Sequence, residues 1–434
     1  MTWVVALVLM LGSVCAFLAL GLPVALAFLT ADILGSYLFM GGLPSLSSFP
    51  SETLEALGKF SLTPIPLFVL MGELLFHTGV AFKAIEAVDR LITRVPGRLS
   101  VVALCGGTLF ASLSGSTIAN TALLGNVMLP KMLELKYDAR LAMGTIMGVG
   151  GIAMLIPPSA LAVLLASLAE QSIAALLIAG IVPGVLMAVV FLAYVIGRCV
   201  LDPSLAPDNG RGEAPQWRPL VVYVLPLFAI FGVVIGSMLG GIASPTEAAA
   251  LGCTATFIAC ALYRAMSWRK LVKAGVETAK ICVMILFIIA GSLTFAQILA
   301  ISGATNGFLE AMQALDLSKQ GVVLLMIAVL LFLGCFMDQI SMILLTLPFF
   351  LPLAKQHNID IVWLLLLILI AMEVSLLTPP FGLLLFVMKG VAPSGITMMQ
   401  VYKAAVPFVV LKLLVMALIF AAPALATWLP RMLL

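Results

Sequence analysis

Four short stretches hold the residues of this chain that could do chemistry, and each lies inside an apolar segment. They are ASLSGST ending at Thr117, AMLIPP from Ala153 to Pro158, GCFMDQ from Gly334 to Gln339, and SLLTPP from Ser375 to Pro380. Two prolines in a row remove backbone donors and clash with the preceding turn, so Pro157-Pro158 and Pro379-Pro380 break the helices that contain them. A broken helix leaves carbonyl oxygens without partners. With serine or threonine hydroxyls, these suit a hard cation such as sodium. The stretches pair off. Ser112, Ser114, Ser116 and Thr117 set against Ala153, Ile156 and Pro158 make one candidate cation site. Gly334, Met337 and Asp338 set against Ser375, Thr378 and Pro380 make a second. Half-helix N-termini at the same level turn positive dipole ends inward, which favours an anionic substrate. Ser116, Asp338, Pro157 and Pro379 are the candidate contacts for it.

Ionisable side chains within spans are functional candidates by default. Asp338 stands in the second tip-like stretch and is read as functional. Glu73, Glu247 and Glu373 could equally cap broken helices or hold the halves together, and His77, near a span end, reads as interfacial. The five tryptophans lie mostly near span ends, where aromatic belts form. The seven cysteines sit in apolar segments without CxxC spacing, as small buried hydrophobes do. There is no Walker A sequence for ATP, no HExxH, and no nucleophile–base pair, so an enzyme is the weaker reading. A purely structural scaffold would have no use for two matched breaks at membrane depth.

The elements that must position these residues follow from composition. The chain is 63% hydrophobic and 9% charged, with mean hydropathy +1.24, and many apolar runs reach about 20 residues, which makes it a polytopic membrane protein. The first basic residue is Lys59, so the N-terminus lacks the positive region of a cleavable signal peptide, and the first span is expected to stay. Leu155-Ile156-Pro157-Pro158 recurs as Leu377-Thr378-Pro379-Pro380, an offset of 222 residues, and Pro23 with Pro245, Pro130 with Pro352 and Asp138 with Asp360 keep that offset. Spans are expected near 3–20, 22–40, 60–78, 139–168 (broken) and 172–199, then near 219–240, 243–263, 281–300, 361–390 (broken) and 401–429. Between them fall an amphipathic stretch from Phe82 to Val95, whose polar face carries Lys83, Glu86, Asp89, Arg90 and Arg94, and its counterpart at 304–316. Five crossings per half is odd, so the second half is inverted. Loops assigned to the cytoplasm then hold 17 of the 22 basic residues, as the positive-inside rule requires, with both termini outside.

The fold expected is therefore an all-α polytopic membrane protein of two inverted-topology repeats, each with five spans, a re-entrant helical hairpin and a Pro-Pro-broken helix. The first repeat covers residues 1–200, with its hairpin at 100–133 and its broken helix at 139–168. A cytoplasmic linker covers 201–218. The second repeat covers 219–434, with its hairpin at 321–354 and its broken helix at 361–390.

The segments GSTIANTALLGNVMLPKMLELKYDARLAMG, GGIAMLIPPS, SPTEAAA, GCFMDQISMILLTLPFFLPLAKQHNID and MEVSLLTPPFGLLLFV, in this order, resemble the large membrane subunit of tripartite ATP-independent periplasmic (TRAP) transporters. The resemblance implies a sodium-driven secondary transporter of elevator type in a bacterial inner membrane, importing a small organic acid such as a C4-dicarboxylate, sialic acid or another sugar acid. It implies a small four-span membrane subunit, here expected as a separate polypeptide, and a soluble periplasmic binding protein. By the same resemblance the sodium ligands are Ser114, Thr117, Ala153, Ile156 and Pro158 for one site and Gly334, Met337, Ser375, Thr378 and Pro380 for the other. The family usually has glycine where Ala153 and Ser375 stand, Asn-Leu-Glu where Ala371-Met372-Glu373 stand, and Asp-Thr-Thr where Asp338-Gln339-Ile340 stand. Main-chain ligands tolerate such changes, whereas substrate contacts differ with them. The alternative is a stand-alone anion or dicarboxylate carrier of similar repeat architecture that needs no binding protein.

Overall fold

A computed structural model of the chain describes residues 2–42, 51, 54, 57–58, 60–114, 116–207, 215–379 and 382–434, with the backbone alone at 112–114. The regular elements described are helical, and among the described residues seven helices are long and apolar enough to cross a membrane. The same order of elements runs twice. In the first half α1 (Trp3–Ala19), α2 (Val24–Phe39) and α3 (Pro64–Thr78) precede the amphipathic α4 (Val80–Leu91). There follow a helix pair α5 (Arg98–Ser114) and α6 (Thr117–Glu134), a broken helix α7 (Ala139–Gly150) and α8 (Ala160–Leu168), and α9 (Ile173–Leu201).

In the second half α10 (Trp217–Tyr223), α11 (Leu225–Leu239), α12 (Pro245–Leu262) and α13 (Trp268–Ile301) precede the amphipathic α14 (Ala304–Ala314). The pair α15 (Lys319–Leu333) and α16 (Gln339–Gln356), the broken helix α17 (Ile361–Ser375) and α18 (Leu383–Val391), then α19 (Met398–Ala421) and α20 (Ala424–Leu433) complete the chain.

Helix starts repeat because their signals repeat. Asp138 and Asp360 cap α7 and α17, each accepting backbone amides of the first turn. Gly79 and Gly303, in the left-handed region that glycine alone enters at low cost, turn the chain into α4 and α14. The first segments of both broken helices lie in the protein interior: every residue of α7 from Leu141 and of α17 from Trp363 is buried. Broken backbone at membrane depth survives only under such cover. One group of helices, α2, α3, α11, α12 and α13, packs together. A second group gathers the helix pairs, the broken helices and α19, with α7 against α19 and α15 against α17.

Three expectations are corrected. The helix ending at Ile301 starts at Trp268 rather than near 281, so the basic segment 268–280 is its first turns; 34 residues make it about 51 Å long, against about 30 Å of hydrocarbon. The final apolar run is two helices, because Pro423 cannot donate within a continuing helix, and α20 turns back to pack on α9. The expected span 219–240 is present as Trp217–Leu239, with a local irregularity at Val224 beside Pro226, whose missing amide leaves the Val222 carbonyl to the Tyr263 hydroxyl. Asp89, read on the polar face of α4, is buried, and its carboxylate bridges Arg98 at 2.7 Å and Lys131 at 2.9 Å, tying α4 to the α5–α6 pair.

Candidate functional site

The first break follows from missing donors. Pro157 and Pro158 cannot pair with the carbonyls of Ala153 and Met154, as residues four positions on would in a continuous helix. The chain tightens into a 3-10 turn over Gly151–Met154, whose Ile152 carbonyl accepts the amides of both Leu155 and Ile156 at 3.1 Å. The helix restarts with Ser159 as cap, its hydroxyl accepting the Ala162 amide at 3.2 Å. That amide would otherwise have gone to the Pro158 carbonyl.

The second break is more closely self-bonded. Thr378 donates its amide to the Ser375 carbonyl at 3.0 Å, and Gly382 donates to the Thr378 carbonyl at 3.1 Å. Each carbonyl keeps a second lone pair. The Thr378 hydroxyl donates to the Val374 carbonyl at 2.8 Å, so this side chain is already engaged with its own helix.

Each break has a hairpin tip against it. A Cβ on Gly334 would lie 2.2 Å from the Ser375 Cβ, so only glycine lets the second tip approach the second break. The Ser375 hydroxyl donates to the Ala371 carbonyl of its own helix at 2.8 Å and lies 3.2 Å from the Leu330 carbonyl, one turn before that tip. At the first tip, a Cβ on Gly150 would lie 2.9 Å from Thr117 Cγ2 and 2.7 Å from Thr121 Oγ1.

The two halves then meet. The Gln339 amide reaches Met154 Sδ at 3.3 Å, and the Thr117 hydroxyl donates to Glu373 Oε1 at 2.8 Å. Lys412, fully buried on α19, stands 3.3 Å from Glu373 Oε2. A Cβ on Gly151 would fall 1.9 Å from the Lys412 Nζ. Thr117, Gly151, Ser375 and the tip at Gly334 thus belong to one interior region.

Among the described residues no group of three or more His, Cys, Asp or Glu could hold a metal ion. The donors gathered at the breaks are neutral oxygens, carbonyl and hydroxyl, approached closely because glycines stand at 150, 151 and 334. That set fits sodium and does not fit a soft transition metal.

The expected site residues fall as follows. Thr117, Ala153, Ile156, Pro158, Gly334, Met337, Ser375 and Thr378 lie at the tips and breaks. The side chain of Ser114 and all of Pro380 lie outside the described residues. Of the candidate substrate contacts, Pro157 is buried and Pro379 exposed. Ser116 caps α6 through the Ala119 amide at 3.2 Å. Asp338 caps α16, accepting the amides of Ile340 at 3.0 Å and Ser341 at 3.3 Å and the Ser341 hydroxyl.

Glu247 forms a capping box with Ser244, Glu73 meets His77 at 3.1 Å on its own helix, and Glu373 joins the halves. Trp363 is no belt residue: it is buried and its indole donates to the Ile419 carbonyl at 2.9 Å. Sequence reasoning missed two groups. Lys412 was visible as a lysine inside an apolar span, which is itself a functional signal, but nothing local names its partner. Asp32, fully buried on α2 beside Gly291, has no hydrogen-bond partner for either carboxylate oxygen among the described residues.

Two helix breaks, each met by the tip of a helix pair in a membrane protein whose described elements are helical, are the architecture of a membrane transporter. The fold is shared with the YdaH transporter of Alcanivorax borkumensis, with TM-score 0.61 and 14% identity over 90% of this chain and 91% of that one. Residues 11–425 match the family described as the tripartite ATP-independent periplasmic transporter, DctM component, and the chain belongs to that family. It is 30% identical over 390 residues to the C4-dicarboxylate TRAP transporter large permease protein DctM of Pseudomonas aeruginosa, covering 89% of this chain and 90% of that one. It is 29% identical over 425 residues to the ectoine TRAP transporter large permease protein TeaC of Halomonas elongata, covering 97% and 98%.

Proposed function

We propose that this chain is the translocation subunit of a sodium-coupled, binding-protein-dependent transporter that imports a small organic acid across the bacterial inner membrane. A separate small membrane subunit and a periplasmic binding protein complete it. The observation that carries the reading is the contact of each hairpin tip with a helix break, Gly334 on Ser375 and Thr117 on Gly150, at positions where a side chain in place of either glycine would not fit. Oxygens of Ser114, Thr117, Ala153, Ile156 and Pro158 would hold one cation, and those of Gly334, Met337, Ser375, Thr378 and Pro380 a second. Sodium, when bound, supplies the coupling to the ion gradient and positive charge beside the substrate carboxylate. The chain's own part is to offer preformed oxygens, exclude lipid, and turn the N-termini of α6, α8, α16 and α18 towards the anion.

The two repeats are read as inverted, with hairpins that enter and leave on one side and a transport unit that moves as an elevator. Inversion is supported by a contact between equivalent positions. Gly151 and Glu373 are 222 residues apart, and a Cβ on Gly151 would lie 2.5 Å from Glu373 Oε2, as expected near a pseudo-two-fold axis. The carboxylate class of substrate is supported by the relatives named for C4-dicarboxylate and ectoine.

Proteoliposomes test this reading. Uptake of a C4-dicarboxylate should require the chain, the small subunit and the loaded binding protein together. Uptake by the chain alone would instead establish a stand-alone carrier.

A further inference from the structure

Lys412 and Glu373 form an ion pair that the sodium reading does not use, and both side chains are fully buried. The Lys412 Nζ lies 3.3 Å from Glu373 Oε2 and 3.3 Å from the Glu373 main-chain carbonyl. The other carboxylate oxygen, Oε1, accepts the hydroxyl proton of Thr117 at 2.8 Å. Thr117 opens α6 at the first tip, Glu373 stands two residues before Ser375 at the second break, and Gly151 of the first break leaves room for the ammonium.

Three nearby threonines spend their proton on their own backbone: Thr145, Thr346 and Thr378 each donate to the carbonyl four residues earlier, whereas the buried Thr121 hydroxyl of α6 has no hydrogen-bond partner among the described residues. Thr117, at a helix start, has no such partner and uses Glu373. A hydroxyl whose proton is committed has its lone pairs aimed away from the acceptor, where they can serve a cation. The second half has no counterpart, since Gln339 occupies the position equivalent to Thr117. A carboxylate in this interior would be costly without the ammonium beside it, so Lys412 is what keeps Glu373 in place.

We propose that the Lys412–Glu373 pair is a positioning device: it fixes the Thr117 hydroxyl as a ligand of the first cation site and links that site to the helix carrying the second. This rests on the sodium reading above. The test is thermal melting of the full-length chain in lipid nanodiscs, titrated with sodium chloride against choline chloride. Binding to the folded state raises the melting point with the logarithm of ligand concentration over Kd.

The double variant Glu373→Gln/Lys412→Met removes both charges while keeping the volume, and should melt in choline within about 4 °C of the wild type. It should need about tenfold more sodium for half the stabilisation, the scale seen for lost outer-shell partners. Thr117→Val should do the same, Thr117→Ser should keep the wild-type response, and the triple variant should be no worse than either parent because all act through one oxygen. Should the double variant not fold, Glu373→Asp keeps the ion pair, shortens the reach to Thr117, and should weaken sodium in the same direction. Wild-type sodium dependence in the folded pair variants, or effects that multiply in the triple, would overturn the positioning role. A wild-type chain indifferent to sodium would overturn the sodium reading itself, and this inference with it.

Discussion

At the scale of single residues, a helix cap is a local device that residue type alone supplies. Ser116, Asp138, Asp338 and Asp360 are of the residue types that accept first-turn amides, and each does so. Asp338 carried the expectation of a functional carboxylate in the membrane, and the structure gives its oxygens to the start of α16. Asp338→Ala should therefore cost about 1 kcal/mol of stability. Asp338→Ser, which installs the residue found at the equivalent Ser116, should restore most of it in a denaturation series. A sodium requirement that moves with the serine variant would show that the carboxylate does more than cap. The partner of Lys412 was not legible, because 39 residues separate it from Glu373 and nothing in either segment encodes the meeting. Asp32 is a different case. A carboxylate with neither oxygen paired is costly in a membrane interior, so Asp32→Asn should raise the melting point of the isolated chain by about 2 °C or more. A lower melting point would mean that the carboxylate is in use.

At the scale of elements, prolines and polar stretches placed the breaks and tips to within a few residues, since a missing donor ends a helix whatever surrounds it. Lengths were less legible. The basic segment before residue 281 reads as a loop by charge, yet it continues α13 because its residues are good helix formers. The pairing of tip with break was legible, with Gly334 set against Ser375, but its closeness was not, because it depends on how two distant helix ends meet. The contact makes a prediction. Gly334→Ala would bring a methyl group to 2.2 Å from the Ser375 Cβ and should reduce uptake about tenfold or more. Adding Ser375→Gly frees that space and should recover uptake. No recovery in a well-expressed double variant would separate the contact from function.

At the scale of the whole molecule, the duplication was read from a constant offset of 222 residues and recurs as two matching orders of helices. The inversion rests on odd span number and on the bias of basic residues. It predicts that Glu86→Cys and Glu310→Cys, exposed at equivalent places on α4 and α14, react with an impermeant thiol reagent from opposite sides of the membrane in a cysteine-free background. Labelling from the same side would remove the inversion. The central claim is that the paired tips and breaks hold sodium and couple it to uptake. Its most direct measurement is initial uptake by the reconstituted complex as sodium is replaced by choline at constant ionic strength. The account predicts a steep, sigmoidal rise with sodium and no uptake in choline alone, because two cation sites must fill. Uptake of equal rate in choline would contradict it.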